Sequence, residues 1–230
     1  MLLGIDTSGA VSVAVASGSL DGEPTIRAVR GDERSRHHDE VLLALIDEAM
    51  AAAGAQRSDL TGIVVGRGPG PFTGLRVGLV VARSIASVLD VPLHGLSSLD
   101  ALAHQALAGA GTESASVGVA LDARRREVYF ARYRRDADGR VTREAEPAVA
   151  APASIADELA ACDLLVGSGA ALYPELLPAT AELVHADAGH LILAAAQLTV
   201  QGTDLSSTEP MYLREPDAAK PTARKSALGR

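Results

Sequence analysis

The order of predicted strands and helices repeats once along the chain, and this repeat limits the fold more than any other feature of the sequence. Both halves show three strands, a helix, a strand and a helix, as judged from apolar or alternating segments and from helical periodicity. In each half the first strand ends in an aspartate, Asp6 or Asp122. The sequence therefore predicts an α/β protein built from two similar halves.

The predicted elements have the following bounds. In the first half we expect strands at 1–6, 11–17, 25–30, 62–66 and 91–96, and helices at 39–53, 74–89 and 98–108. In the second half we expect strands at 116–122, 126–134, 140–148 and 163–167, and helices at 153–161, 173–177 and 188–200. The apolar helix 188–200 is expected to be buried, because it is too short to span a bilayer.

Length and charge limit what such a chain can do by itself. Its 230 residues can form one large domain or two small ones, and 47% hydrophobic with 22% charged residues is ordinary for a globular protein. The formal net charge of -8 provides no overall positive field, so a role on nucleic acid requires a partner. Cys162 is the only cysteine, and the opening residues carry neither a basic stretch nor a long apolar one. We therefore expect a cytoplasmic protein that does not enter a membrane.

The segment "GRGPGPFTGLRVG" (66–78) contains five glycines and two prolines and begins at the end of the apolar strand 62–66. It lacks the lysine of a Walker phosphate loop, because Gly74 is followed by Leu75, and its glycines do not form Gly-x-Gly-x-x-Gly. An anion could still bind at the free N–H groups of the following helix, near Thr73. The residues favour the alternative, in which the prolines stiffen a turn and Thr73 caps the helix.

Two predicted helices in the first half are more apolar than one sheet-facing stripe requires. Gly74, Gly78 and Ala82 recur every four residues and form a nearly bare strip on helix 74–89. Because a glycine inside a helix costs about 1 kcal/mol relative to alanine, the strip suggests close approach of another helix. Helix 39–53 is apolar around much of its circumference. The pair predicts a protein interface, and the alternative is that both are core helices of an alanine-rich protein.

The residues expected at this interface are Val41, Leu42, Leu45, Ile46, Gly74, Gly78, Leu79 and Ala82. If the glycine strip faces a partner, Gly78→Leu should weaken association and leave the melting temperature of the monomer near that of the parent. If the strip packs inside the monomer, the same substitution should unfold it.

The sequence offers little support for metal or serine hydrolase catalysis. No His-x-x-x-His pair occurs, and the six histidines give no other chelating arrangement. No Gly-x-Ser-x-Gly occurs either. The basic cluster between Arg124 and Arg135 is interpreted as the solvated edge of a hairpin.

Four segments together resemble the TsaB family, the dimerisation subunit of the bacterial complex that makes tRNA threonylcarbamoyladenosine. They are "LLGIDTS", "GRGPGPFTGLRVG", "LDARRREVY" and "EPMYLR", and the similarity extends from Met1 to about Arg214, with the glycine-rich segment as its most specific part. The resemblance implies a duplicated actin-like ATPase (ribonuclease H-like) fold, in which two lobes, each with a mixed sheet flanked by helices, meet at a cleft. The implied lobes are 1–109, which carries the interface helices, and 110–214, followed by a loose tail at 215–230.

The resemblance also concerns nucleotide binding. In active members of the superfamily, the turns after the two aspartate-ended strands surround the nucleotide phosphates. By this similarity, the weak candidates for ATP or ADP binding are Asp6, Thr7, Ser8, Gly68 and Gly70. The second turn departs from the pattern, because Asp122 is followed by Ala123 and three arginines. The resemblance thus implies a degenerate paralogue with no catalytic residues, no bound metal and no required cofactor.

The implied function is that of a non-catalytic scaffold and dimerisation subunit. It would be required for threonylcarbamoylation of the adenosine beside the anticodon in tRNA, together with a TsaD-type catalytic subunit and a TsaE-type ATPase. The chain would form a homodimer when alone and would meet tRNA only through the complex. The alternatives are a stand-alone ATP-dependent enzyme of the same fold, and a glycoprotease-like peptidase, for which the sequence provides neither a nucleophile nor a metal site.

Overall fold

The fold contains two mixed five-stranded sheets flanked by helices. The computed structural model describes residues 1–33, 38–111 and 115–214, so the expected loose tail at 215–230 lies outside the described residues. The first sheet contains β1 (Leu2–Asp6), β2 (Val11–Ser17), β3 (Thr25–Asp32), β4 (Gly62–Gly66) and β5 (Leu93–Leu96), in the order β3-β2-β1-β4-β5. The second contains β6 (Ser116–Asp122), β7 (Val128–Arg135), β8 (Val141–Arg143), β9 (Ala148–Ala150) and β10 (Leu164–Val166), in the order β10-β6-β7-β8 with β9 also paired to β7. The helices are α1 (His38–Ala52), α2 (Phe72–Leu89), α3 (Ser98–Gly109), α4 (Pro152–Ala160), α5 (Ser168–Leu172) and α6 (Ala188–Val200), with a 3-10 turn at Arg57–Asp59.

Both sheets repeat the same strand directions. β1 pairs antiparallel with β2 and parallel with β4, and β6 pairs antiparallel with β7 and parallel with β10. A parallel neighbour requires a crossover connection, which contains α1 in the first half and α4 in the second. The predicted α/β class and the duplicated actin-like, ribonuclease H-like fold are therefore confirmed.

β1 lies at the centre of the first sheet, and all five of its residues are buried. On one face, Leu3 and Ile5 pack with the apolar residues of α1 and α2. On the other face, Leu2 packs with Leu191 and Ile192 of α6. A strand that is covered on both faces must be apolar at consecutive positions, and the sequence of β1 meets this requirement.

Two helices cross the boundary between the halves of the sequence. α6 follows the second sheet along the chain but packs on β1 and β2 of the first, with Leu191 and Ile192 fully buried. α3 ends the first half but packs on β6, where Leu102 joins the core of the second sheet. The domain division at residue 110 stays a prediction, while the packing shows that each sheet is covered by a helix from the other half. The prediction that helix 188–200 is buried is confirmed.

The structure changes the prediction for α2. The helix begins at Phe72, and no side chain caps its first turn, so the expected capping role of Thr73 is wrong. With 18 residues it is long and apolar enough, by length and composition, to cross a membrane. Its Leu75 and Leu79 are buried against the first sheet, however, which makes it a partly buried core helix of a globular fold.

Two elements of the second half lie elsewhere than predicted. The expected strand 140–148 is divided into β8 and β9, and Pro147, which cannot donate a ladder hydrogen bond, lies between them. The short helix expected at 173–177 is found one turn earlier as α5. It ends before Pro174, because the residue that precedes a proline disfavours helical backbone angles.

A histidine pair connects α3 with α6. The Nδ1 atoms of His104 and His190 lie 3.1 Å apart, a distance at which one ring donates a hydrogen bond to the other. The acceptor ring must then be neutral. Burial lowers the pKa of His104 to about 4, with His190 adding to the shift, and burial also lowers the pKa of His190. Both rings are therefore neutral at physiological pH.

We predict that protonation of His104 destabilises the fold in mild acid. A histidine with a pKa of 6.5 in the unfolded chain and about 4 in the fold binds more protons when unfolded, so stability is lost as the pH falls from 6.5 towards 4. The full effect is on the order of 3 kcal/mol. The free energy of unfolding in urea, measured at several pH values in this range, should fall less steeply for His104→Gln than for the parent.

The comparison isolates His104 because the buried carboxyl groups are common to both proteins. Burial raises the pKa of Asp6 and of Asp100, and a raised carboxyl pKa acts in the opposite direction, stabilising the fold as the pH falls. Equal slopes for the parent and the variant would show that His104 does not control the acid sensitivity.

Candidate functional site

The turn that follows β1 is fixed by the carboxylate of Asp6. One oxygen accepts hydrogen bonds from the backbone N–H of Ser8 at 2.9 Å and from its hydroxyl at 2.6 Å. The other oxygen accepts a hydrogen bond of 2.5 Å from the hydroxyl of Ser98, at the start of α3. Burial raises the pKa of Asp6, and the hydrogen bonds from Ser8 and Ser98 oppose that shift. Asp6 therefore ties β1 to α3.

Thr7 fixes the same turn to α2. Its Oγ1 donates a hydrogen bond to the carbonyl oxygen of Gly74 at 2.8 Å and accepts one from the amide of Gly78 at 3.2 Å. A Cβ atom at position 78 would collide with this hydroxyl. At Gly78, the close approach that the glycine strip predicted is therefore to the turn that follows β1.

The glycine-rich loop packs against this turn. Gly68 has a φ of +91°, which favours glycine, and its carbonyl accepts hydrogen bonds from the amide of Ser98 at 2.9 Å and the hydroxyl of Ser97 at 3.2 Å. A Cβ atom at Gly70 would run into the backbone of Ser8. Packing within the chain thus accounts for both glycines, as in the interpretation of the loop as a stiff turn.

The five candidate nucleotide residues lie together at the carboxyl ends of β1 and β4. Across the cleft lies the turn after β6, where Asp122 accepts a hydrogen bond from the amide of Arg124 at 2.7 Å and pairs with its guanidinium at 3.1 Å. The cavity between the two turns has a volume of about 160 Å³ and is lined by Ser8, Asp122 and Ser168, among others. Sites for small molecules typically measure roughly 300 to 1,000 Å³. Nucleotide binding by these residues stays a prediction, and the cleft as it stands is small for it.

Metal ligands are not grouped in the part of the chain that the structure describes. Residues 1–33, 38–111 and 115–214 contain no cluster of three or more His, Cys, Asp or Glu side chains that could hold a metal ion. Within these ranges, the pair formed by His104 and His190 has no third ligand of these types.

The residues expected at the interface lie mostly in the core. Those that are buried against the chain's own sheet are Leu42, Leu45, Ile46, Gly74, Gly78, Leu79 and Ala82, while Val41 is half-buried. Burial within the single chain leaves most of these side chains little surface for a partner, although Ile46 also lines a groove between the two helices. An interface on these residues stays a prediction. Helical periodicity identifies an apolar face but does not say whether a sheet or a second protein covers it.

Sequence reasoning missed the apolar residues on the outer face of these helices. Leu43 of α1 and Val80 and Val88 of α2 are 59%, 61% and 83% exposed. Leu43 and Val88 line a groove of about 360 Å³ between the two helices, together with Met50 and Ile85. We call the exposed residues Leu43, Val80 and Val88 the outer face. The available signal was the spacing of eight residues between the two valines, which places them on one side of α2.

Comparisons with known proteins identify the family. Residues 29–174 match the family model "TsaD: tRNA N6-adenosine threonylcarbamoyltransferase". The chain belongs to the TsaD family. It is 30% identical over 190 residues, 78% of this chain and 81% of the other, to "tRNA threonylcarbamoyladenosine biosynthesis protein TsaB" of Escherichia coli (strain K12). The predicted resemblance to TsaB is thus confirmed.

Two further comparisons show how far the similarity extends. An uncharacterized protein of Mycobacterium leprae (strain TN) is 37% identical over 226 residues, which are 97% of this chain but 57% of that protein. The chain therefore spans little more than half of this relative. The solved structure of YeaZ from Pseudomonas aeruginosa superposes with a TM-score of 0.75 and 29% identity, covering 92% of this chain and 99% of that one.

We predict that Gly78→Ala destabilises this TsaD-family fold, because the new Cβ collides with the hydroxyl of Thr7. Overpacking costs about 1 to 3 kcal/mol and outweighs the gain in helix propensity of about 1 kcal/mol. Each kcal/mol lost lowers the melting temperature of a chain of this size by about 2 to 4 °C. The control is Gly109→Ala at the end of α3, where a Cβ would have no neighbour within 4 Å and the melting temperature should stay unchanged or rise.

A double-mutant cycle assigns the cause. Thr7→Ala removes the atom that collides, so the combined Thr7→Ala and Gly78→Ala variant should lose less stability than the sum of the two single losses. Additive losses, or equal effects of Gly78→Ala and Gly109→Ala, would contradict the contact.

Proposed function

We propose that this chain is a non-catalytic scaffold subunit for threonylcarbamoylation of the adenosine beside the anticodon in tRNA. It acts with a TsaD-type catalytic subunit and a TsaE-type ATPase in the cytoplasm. The observation that carries the proposal is the exposed apolar outer face on α1 and α2, in a chain homologous to TsaB over most of its length.

The outer face has the properties of a docking surface. Large side chains that stay exposed together on neighbouring helices lose contact with water only when another protein covers them. The groove between α1 and α2 adds depth, so that side chains of a partner helix pair can enter it. A TsaD-type subunit is the proposed occupant, and a second copy of this chain takes its place when the chain is alone.

The cleft supports the non-catalytic part of the proposal. Asp6 is already satisfied by three hydrogen bonds from Ser8 and Ser98. The turn after β6 carries three arginines at the place where a bound phosphate would have to approach the backbone. The guanidinium of Arg124 forms an ion pair with the carboxylate of Asp122. ATP or ADP binds weakly at most, and the subunit requires no cofactor. The acidic net charge supports the further proposal that tRNA is held chiefly by the assembled complex.

We predict that Val88→Asp weakens both self-association and binding to the TsaD-type subunit. Burying a valine side chain contributes about 1.5 to 3 kcal/mol, so its loss alone reduces the association constant at least tenfold, and a buried charge adds to the effect. Sedimentation and titration with the purified partner measure both constants.

Val200→Asp is the matched control for this experiment. Val200 is 65% exposed at the end of α6, away from the outer face, so its substitution should leave both constants unchanged. The docking surface would be misplaced if Val88→Asp bound normally, or if the two variants lost binding equally.

We further predict that the purified chain hydrolyses ATP no faster than a buffer blank. The prediction follows from the internal hydrogen bonds of Asp6 and the small volume of the cleft. Release of phosphate is measured over several protein concentrations. Turnover that rises with the protein and is lost in Asp6→Asn would instead support a stand-alone ATP-dependent enzyme.

A further inference from the structure

A second and larger groove opens beside the cleft and is not used by the proposed docking surface. It has a volume of about 610 Å³ and lies between the start of α2, the turn after β6 and the chain segment that follows α6. Its aromatic and basic lining residues are Phe72, Arg76, Arg124, Arg125, Tyr129, Tyr212 and Arg214. We call it the arginine–aromatic groove.

One wall of the arginine–aromatic groove is a stack of rings. The centroids of Phe72 and Tyr212 lie 5.5 Å apart with 22° between the ring planes. The guanidinium of Arg76 lies 3.8 Å from the centroid of Phe72, and its Nε donates a hydrogen bond of 2.9 Å to the hydroxyl of Tyr212. Phe72 is still 55% exposed and Tyr212 45% exposed. The stack is thus preorganised, and about half of the surface of each aromatic residue remains exposed to a ligand.

The opposite wall is the turn after β6, where three exposed arginines have unusual backbone angles and two of them, Arg124 and Arg125, line the groove. Arg124, Arg125 and Arg126 have φ values of 62°, 54° and 63°. Left-handed backbone costs roughly 1 to 2 kcal/mol for each residue other than glycine, and such strain is found mainly at functional sites. Two hydrogen bonds hold the turn. The carboxylate of Asp122 accepts one from the amide of Arg124, and the amide of Glu127 donates one of 3.0 Å to the carbonyl of Arg124.

The charge of the arginine–aromatic groove is opposite to that of the whole chain. Four arginines line it, and Asp122 is the single carboxylate among the described residues of its lining. Arg124 is paired with Asp122 and Arg214 with the neighbouring Glu127, so the positive charge of the groove rests on the excess of four arginines over one carboxylate in its lining. In a protein with a formal net charge of -8, such a patch attracts an anion to one place.

We propose that the arginine–aromatic groove binds unpaired nucleotides of an RNA. Bases extend the stack formed by Phe72 and Tyr212, and the backbone phosphates pair with Arg124 and Arg125. Planar rings beside guanidinium groups fit a base and its phosphate, whereas an acidic peptide would gain little from the rings. The bases must be unpaired, because a base inside a duplex does not present its face.

The proposal rests on the proposed function only for the statement that the RNA is tRNA. Binding by the isolated chain is weak, since one groove supplies few phosphate contacts. It becomes effective when the catalytic subunit holds the rest of the same RNA, because the second contact is then intramolecular.

The test measures the fluorescence anisotropy of a labelled RNA hairpin with an unpaired loop, titrated at low salt with the full chain and with its complex with the TsaD-type subunit. The probe for comparison is a blunt duplex with the same stem. We expect the hairpin to bind more tightly than the duplex. Arg125→Gln should lower the slope of log K against log salt by about 0.7, the value for one phosphate contact to a single strand. Phe72→Leu and Tyr212→Leu should each weaken binding about fivefold or more.

Arg140→Gln is the matched control, because it removes an exposed arginine beyond the far end of β7, roughly 26 Å from the arginine turn. It should change neither the affinity nor the salt slope. Circular dichroism melts of all variants test whether the fold is retained. If Tyr212→Leu disturbs the aromatic stack, Arg125→Gln still tests the groove with the stack in place.

Three outcomes would overturn the proposal. The first is equal binding of the hairpin and the duplex with no effect of Arg125→Gln. The second is binding of a glutamate-rich peptide as tight as that of the hairpin and equally sensitive to Arg125→Gln, which would assign the groove to a protein partner. The third is displacement of the hairpin by ATP with a dissociation constant for ATP below that for the hairpin.

The result is separable from the docking experiment. Arg125→Gln should still bind the TsaD-type subunit, and Val88→Asp should still bind the hairpin as the isolated chain. If the partner binds normally and the hairpin does not, the RNA proposal fails while the scaffold function stands.

Discussion

The first lobe depends on the insertion of the Thr7 hydroxyl between the carbonyl of Gly74 and the amide of Gly78 in α2. Because the hydroxyl bonds both groups, β1 and α2 approach more closely than any side chain at position 78 would permit. Asp6 ties the same turn to Ser98 of α3. The turn for which the family resemblance implied phosphate contacts is therefore held in place by hydrogen bonds within the chain.

This arrangement explains why the surface of the first lobe, and not its cleft, has the clearest functional features. The inner faces of α1 and α2 pack against the sheet. The apolar residues that remain exposed on the outside, Leu43, Val80 and Val88, form a separate surface. Four arginines likewise line a single groove beside the cleft, two of them in the turn at Arg124 and Arg125. Docking of a protein at the outer face and contact with an anion in the groove are compatible with the proposed role as a scaffold subunit.

Much of the fold follows from local patterns. The apolar run of β1 predicts a strand covered on both faces, and the helical period of residues 188–200 predicts a buried helix, as the structure shows. The predicted elements that moved did so because of prolines, at Pro147 and Pro174, whose effect extends to neighbouring residues. Four short segments carried the resemblance to the family, which the family model confirmed.

The sequence alone determined which elements form, that the halves repeat, and that Gly74 and Gly78 mark a close approach. Only the tertiary structure decided what approaches, because Thr7 lies 71 residues before Gly78 and no local pattern couples them. The same holds for α3 and α6, which cover the sheets of the opposite halves, and for Phe72 and Tyr212, which stack across most of the chain. Periodicity is a property of neighbouring residues, whereas the partner of an apolar or bare face is set by how distant segments fill the same space.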